Sequence, residues 1–141
     1  SVARAQLIDK MQKIVQESAD VADDAIARGD RGVLEEFLTN KEVNRLLQGG
    51  RLSRALRGVF VEWRSRMMFA LDETIQPHVG RGGHVGLRGS VVNGKPRNGF
   101  ADFFGTQNGL LSNIAVDITT KAGYAKHIAR GYLEKGLIMT Y

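Results

Sequence analysis

Apolar side chains recur at three- and four-residue steps from the start of the chain: Leu7, Ile8, Met11, Ile14, Val15, Val21, Ala22, Ala25 and Ile26, with Lys and Asp between them. Such spacing lines one face of an α-helix, so it predicts a long amphipathic helix that Gly29 ends. A short helix should follow, with Val33, Leu34, Phe37 and Leu38 on one side. Thr39 and Glu42 have the spacing of a capping box, which predicts another turn or two carrying Val43, Leu46 and Leu47 as far as Gly49-Gly50. From Ser53 to about Ile75 the pattern predicts a further helix, its apolar stripe made of Leu56, Val59, Phe60, Trp63, Met67 and Leu71.

Pro77 breaks the helical periodicity, and nine glycines fall between Gly80 and Gly109. Asn93-Gly94, between Val91-Val92 and Lys95, is a hairpin-turn signal. Strands are expected near 84–92, 99–104 and 110–118, then a helix from about 121 to 135 that Gly136 closes, then a strand from Leu137 to Tyr141. Helices first and a β-rich unit with one crossover helix second make an α+β chain with a small mixed or antiparallel sheet. The natural division is 1–75, a helical region that links, docks or aids entry, and 76–141, a β-rich core.

Composition narrows the function classes. At 141 residues, 43% hydrophobic and 25% charged, the chain can bury a core of its own. No apolar run approaches the ~18 residues of a membrane span, so stable membrane insertion is not expected. The chain has no cysteine, which excludes disulfides, thiolate zinc sites and a cysteine nucleophile. It starts at Ser1 rather than Met, as a domain cut from a longer parent would. Charge is uneven: residues 1–50 carry seven Lys/Arg and nine Asp/Glu, net −2, whereas residues 51–141 carry thirteen and six, net +7. A basic second half suits a polyanionic partner. Arg51, Arg54 and Arg57 oppose the helix dipole at the start of the fourth helix, with Arg64 and Arg66 further along; phosphate contacts or ion pairs with the acidic first helix would each explain them.

Candidate chemistry lies in the last forty residues. Asp102 sits in an aromatic strand pattern, where an unpaired carboxylate is costly to bury. Asp117 follows the apolar run Leu110–Val116 at a strand end. If these strands are neighbours, both carboxylates meet at one rim; either could instead cap a turn. Thr119 and Thr120 precede the last helix, where a Thr can cap and exposed N–H groups can hold a phosphate. On that helix His127 and Arg130 are one turn apart, with Tyr132 beyond. Imidazole can move a proton near neutral pH, and guanidinium can stabilise charge building on phosphorus. Lys95, Arg97, Arg81, Lys121 and Lys126 are candidate nucleic-acid contacts. His78 and His84 have poor spacing for zinc, and no metal is favoured on spacing alone.

The run from Gly99 to Tyr141 resembles the C-terminal nuclease modules of bacterial polymorphic toxins, the contact-dependent growth inhibition and Rhs-type effectors. The matching pieces are Ala101-Asp102-Phe103, Asp117-Ile118-Thr119-Thr120, His127 with Arg130 and Tyr132, and Thr140-Tyr141; Ala101 stands where such modules usually have proline. The match covers about the last third of the chain. The resemblance implies a secreted parent toxin, action in the cytoplasm of a target bacterium, and an immunity protein, which charge suggests is acidic. It leaves two chemistries open. A metal-free ribonuclease, with tRNA among its candidate substrates, would use His127, Arg130, Thr119, Thr120 and Tyr132, with Asp117 orienting a base. A restriction-endonuclease-like DNase would hold Mg2+ on Asp102 and Asp117, with Glu62 as a third carboxylate; Thr119 stands where its lysine belongs, and Lys121 lies two residues later. RNA is preferred on that misplaced lysine. A nucleic-acid-binding module without turnover, stacking bases on Phe100, Phe103 and Phe104, is the non-enzymatic alternative.

Overall fold

A computed structural model of the chain describes residues 1–80, 85–87, 91–92, 95–96, 99–112, 114–129 and 136–141. Four helices come first: α1 (Val2–Arg28), α2 (Arg31–Leu34), α3 (Asn40–Gln48) and α4 (Arg51–Leu71). Their ends follow local chemistry. Gly29 takes φ 62°, ψ 34° at the end of α1, in the left-handed region that an L side chain resists. At α3 the capping box forms: Glu42 N donates to Thr39 Oγ1 and Thr39 N donates to Glu42 Oε1. Asp72 ends α4, short of the expected Ile75, because its Oδ1 accepts from Thr74 N at 2.8 Å and so caps the next turn. Lys10 on α1 pairs with the same carboxylate at 3.2 Å. Hydrogen bonds from Thr74 hold the Asp72 carboxyl down at about 2.

Helices α1 and α4 pack along most of their lengths. The α1 face is made of Leu7, Met11, Val15, Ser18, Ala19, Ala22 and Ala25; its small residues let the backbones approach closely. Across from it, Phe60 and Val61 are fully buried, and Phe60 meets the Phe37 ring edge-on at 5.3 Å. The expected stripe on α4 is rotated. Trp63, Met67 and Leu71 are exposed (41%, 41% and 70%), and the buried positions are Phe60, Val61, Glu62, Ser65 and Phe69. The helix is gripped from two sides, by α1 and by the sheet, and the sheet-facing line contains polar residues that hydrophobic periodicity passes over.

After a 3-10 turn, Gln76–His78, come β1 (Val85–Leu87), β2 (Val91–Val92), β3 (Lys95–Pro96), β4 (Gly99–Ala101), β5 (Phe103–Phe104), β6 (Ala115–Thr119), α5 (Lys121–Ala129) and β7 (Leu137–Thr140). Strands β1 and β4 pair antiparallel, as do β2 and β3. The Val92↔Lys95 pair flanks the expected turn; Asn93 and Gly94 themselves lie outside the described residues, as do 130–135 of the expected last helix. The remaining sheet has the order β5-β6-β7, antiparallel then parallel. It is therefore mixed, and α5 is the crossover that a parallel pair requires. Strand β6 starts at Ala115, later than expected, because Gly105–Ser112 forms a tight loop. A Cβ at Gly105 would lie 1.7 Å from Leu111 O, so only glycine fits there.

One face of this sheet lies on the helices. Phe103 meets Phe69 of α4 with ring centroids 5.9 Å apart, and Val116 and Met139 are buried in the same core as Met11, Phe60 and Leu34. The core thus runs across the 75/76 division expected from sequence. Strand β7 would be an open edge, but α1 covers it. Gln12 Nε2 donates to Thr140 O, and Thr140 N donates to Gln12 Oε1 at 3.3 Å, so one side-chain amide replaces a missing strand. Among the described residues, no helix is long and apolar enough to cross a membrane.

The rotated helix face yields a clear expectation. Phe60→Ala should lower unfolding free energy by about 3–5 kcal/mol, whereas Leu71→Ala should change it by no more than ~0.5 kcal/mol. Urea denaturation of both variants checks this; equal costs would restore the stripe expected from sequence.

Candidate functional site

Asp102 and Asp117 meet because of strand register. Phe103 pairs with Val116, so the preceding residue stands opposite Asp117, and Asp102 N donates to Val116 O at 3.0 Å. Both carboxyl groups are buried, 8% and 6% exposed, on neighbouring segments. Ile118 N donates to Asp102 Oδ2 at 2.6 Å, which orients that carboxyl, and Asp102 and Asp117 share a side-chain hydrogen bond. Glu62, also buried, comes from the middle of α4 and acts on Asp102 as a third like charge.

Two carboxylates cannot share a hydrogen bond without a proton. Burial, then the bond and charge of Asp117, then the charge of Glu62, push Asp102 up to about 9; the amide of Ile118 pulls the other way. One proton is thus shared within the Asp102–Asp117 pair at neutral pH. Glu62 is partly balanced by Arg66, one turn on, whose Nη1 lies 3.6 Å from Glu62 Oε1. The guanidinium of Arg66 also sits 4.8 Å from the Trp63 ring centroid and 5.9 Å from that of Phe103.

Tyr141 closes the α4 side. Its hydroxyl lies 3.3 Å from where a Cβ on Gly58 would be, and its ring lies under Arg57 at 5.0 Å. Burial raises the Tyr141 phenol above its ordinary value, Arg57 opposes this, and Asp102 and Glu62 add to it. The phenol is therefore a neutral O–H near the acidic group.

The other expected site residues divide. Thr120 caps α5, accepting from Gly123 N at 2.9 Å. Thr119 is buried in β6, its hydroxyl close against Gly123, where an added Cβ would come within 2.5 Å. Lys121 and Lys126 are exposed on α5. Lys95 falls in β3 and His127 in α5; the His127 side chain and the whole of Arg81, Arg97, Arg130 and Tyr132 lie outside the described residues. His84 does too, while His78 has a structural role, its Nδ1 accepting from Leu110 N at 3.1 Å. Of the arginines on α4, Arg57 binds Asp23 at 2.7 and 3.0 Å, and Arg64 binds Glu17 at 3.2 Å and Ser18 at 3.0 Å. Ion pairs with the acidic first helix account for both. Sequence reasoning gave Arg66 no separate role; its signal was one helical turn from Glu62.

No group of three or more His, Asp or Glu among the described residues is arranged as a ready set of metal ligands. Asp102 and Asp117 form a pair of hard oxygen donors, which suits Mg2+, an ion that keeps several waters and takes one or two carboxylates. No protein-family model, curated protein or solved structure matches this chain.

The raised Asp102 sets a stability profile. The unfolded group titrates near its ordinary 3.8 and the folded one near 9, so between these values the folded chain holds one more proton. Stability attributable to this group must therefore fall as pH rises from about 4 to about 9. Asp102→Asn keeps an acceptor for Ile118 N and removes that titration. Its melting temperature should exceed that of the wild type by a margin that grows across the window, measured by differential scanning fluorimetry; parallel profiles would contradict the assignment.

Proposed function

We propose that the chain is a nuclease domain that hydrolyses phosphodiesters with a divalent cation held by Asp102 and Asp117. The convergence of Asp102, between β4 and β5, with Asp117 of β6 and Glu62 of α4 carries this reading. Three acidic groups repel a phosphate, and a divalent ion at the same place reverses that repulsion. Bound there, the ion would supply charge neutralisation on the phosphate and an activated water. Asp117, fixed in mid-strand, and Asp102, oriented by Ile118 N, are the residues to hold it. Glu62, balanced by Arg66, is placed to accept a proton. The Tyr141 hydroxyl, neutral and half-buried, can donate a hydrogen bond. None of these roles needs a 2′-hydroxyl, so the reading takes DNA as well as RNA.

This reverses the order of preference drawn from sequence. Thr119 and Thr120, two of the groups needed by the metal-free ribonuclease, are engaged in the end of β6 and the cap of α5. The toxin setting is proposed with it: a domain of a larger secreted bacterial protein, acting in the cytoplasm of a target cell and held in check by an acidic immunity protein. The basic second half and the motifs from Gly99 to Tyr141 support that setting.

Purified chain incubated with plasmid DNA and with total RNA should cut in Mg2+ and stop in EDTA. Asp117→Asn should lower the rate by at least ~100-fold, beyond what loss of an outer-shell partner to a metal costs, and His127→Ala should change it only a few-fold. RNA cleavage that persists in EDTA and vanishes in His127→Ala would replace this reading with the metal-free one. Strands that bind but are never cut would leave the non-catalytic binding module.

A further inference from the structure

Steps of three and four residues along α4 join Phe69, Ser65, Glu62, Gly58, Arg54 and Arg51 into one line, because residues so spaced share a helix face. From Phe69 to Glu62 this line is buried. At Gly58 it passes the Tyr141 hydroxyl, and beyond that it emerges, leaving Arg54 and Arg51 exposed. These two lack the partners that their neighbours have. Arg57 is held by Asp23 and Arg64 by Glu17, but among the described residues neither Arg51 nor Arg54 forms an ion pair. Both stand in the first turn of α4, where a cation opposes the helix dipole and does not stabilise the helix. Lys121 adds a third exposed cation: its N donates to Tyr141 O at 3.0 Å, which puts the start of α5 beside the same tyrosine.

We propose that Arg51, Arg54 and Lys121 bind the sugar-phosphate backbone of the strand being cut, on one side of the phosphate that is attacked. The proposal rests on the nuclease reading above and names how its substrate is held. At a rise of about 1.5 Å per residue, Arg54 and Arg51 lie roughly 12 and 17 Å along α4 from Glu62. A phosphate at the carboxylates is out of their reach, so they serve phosphates further along the same strand. The order of charge fits this occupant. The acidic centre takes a phosphate only with a divalent ion, and the flanking cations attract the neighbouring phosphates that bring it there. An acidic protein laid along the same line would press its own carboxylates against that centre. Contacts to phosphate position a strand without reading its bases, so the grip is independent of sequence.

The full chain in EDTA, which prevents cutting and keeps divalent ions off the phosphates, is titrated with end-labelled single strands of several sequences over a series of salt concentrations, reading label anisotropy. On single strands each neutralised phosphate contributes about 0.7 to the slope of log affinity against log salt. Arg51→Gln combined with Arg54→Gln should therefore make the slope shallower by about 1.4 and weaken binding about 25-fold at ~0.1 M salt, equally for every sequence. Lys121→Gln alone should take about 0.7 from the slope. Arg4→Gln, at the end of the α1–α4 pair where Lys10 meets Asp72, should change neither quantity. The double variant should melt no lower than the wild type, because neither arginine holds the fold; a lower melting temperature would make them structural and overturn the proposal. Unchanged slope and affinity in the double variant, with strands still cut in Mg2+, overturn it too and leave the nuclease reading standing. Poly-glutamate binding that is lost in the double variant while strand binding persists would assign these cations to an acidic protein instead. If the wild type neither binds nor cuts any strand in Mg2+, the nuclease reading falls and the backbone track falls with it.

Discussion

Like charges buried together dominate this structure. Asp102, Asp117 and Glu62 arrive from two strand segments and a helix, and all are less than a tenth exposed. Burying acids side by side is expensive unless protons or cations intervene. Among the described residues, a proton within the Asp102–Asp117 pair and the Arg66 guanidinium beside Glu62 take part in that intervention. The elements around them keep the arrangement fixed. The β5–β6 register sets Asp102 opposite Asp117, and Ile118 N orients the Asp102 carboxyl. The buried faces of α4 hold Glu62 in line with Phe69 and Phe103. A polar cluster that costs stability and is nonetheless held this firmly is where function is expected.

The rest of the fold serves that geometry. Helix α1 braces α4 with close-packed small residues and with Arg57–Asp23 and Arg64–Glu17 pairs. It also covers β7 through Gln12, which stops the three-stranded sheet from adding another strand. Helix α5, capped by Thr120, carries the chain back so that β7 lies parallel to β6. The exposed ion pairs contribute little each; the shared apolar core does most of the joining.

Features decided within a few residues were legible in the sequence. The left-handed Gly29, the Thr39–Glu42 capping box and the Gly49-Gly50 stop are local chemistry, and each appears where the pattern placed it. The meeting of Asp102 and Asp117 was legible as a condition, that their strands be neighbours, because strand spacing fixes which side chains can face one another. What periodicity could not give was the rotation of α4. A helix packed on two sides buries Glu62 and Ser65 and leaves Trp63, Met67 and Leu71 outside; only tertiary contacts decide between two overlapping stripes. The early end of α4 was hidden for a similar reason: Asp72 diverts the backbone through its own side chain. The arginines of α4 were ambiguous in sequence because ion pairs and phosphate contacts want the same residues.

Binding of a divalent ion by the buried acids can be separated from turnover. Titrating the chain with Mg2+ or Mn2+ while following its melting temperature does so, since a ligand that binds only the folded state stabilises it by about 2.7 kcal/mol at a hundred times its Kd. For a chain of this size that corresponds to a rise of roughly 5–10 °C. The wild type should show the rise, and a variant carrying both Asp102→Asn and Asp117→Asn should not. A wild type whose melting temperature ignores the metal, or a double variant that still responds, would contradict a cation site built on these two carboxyl groups.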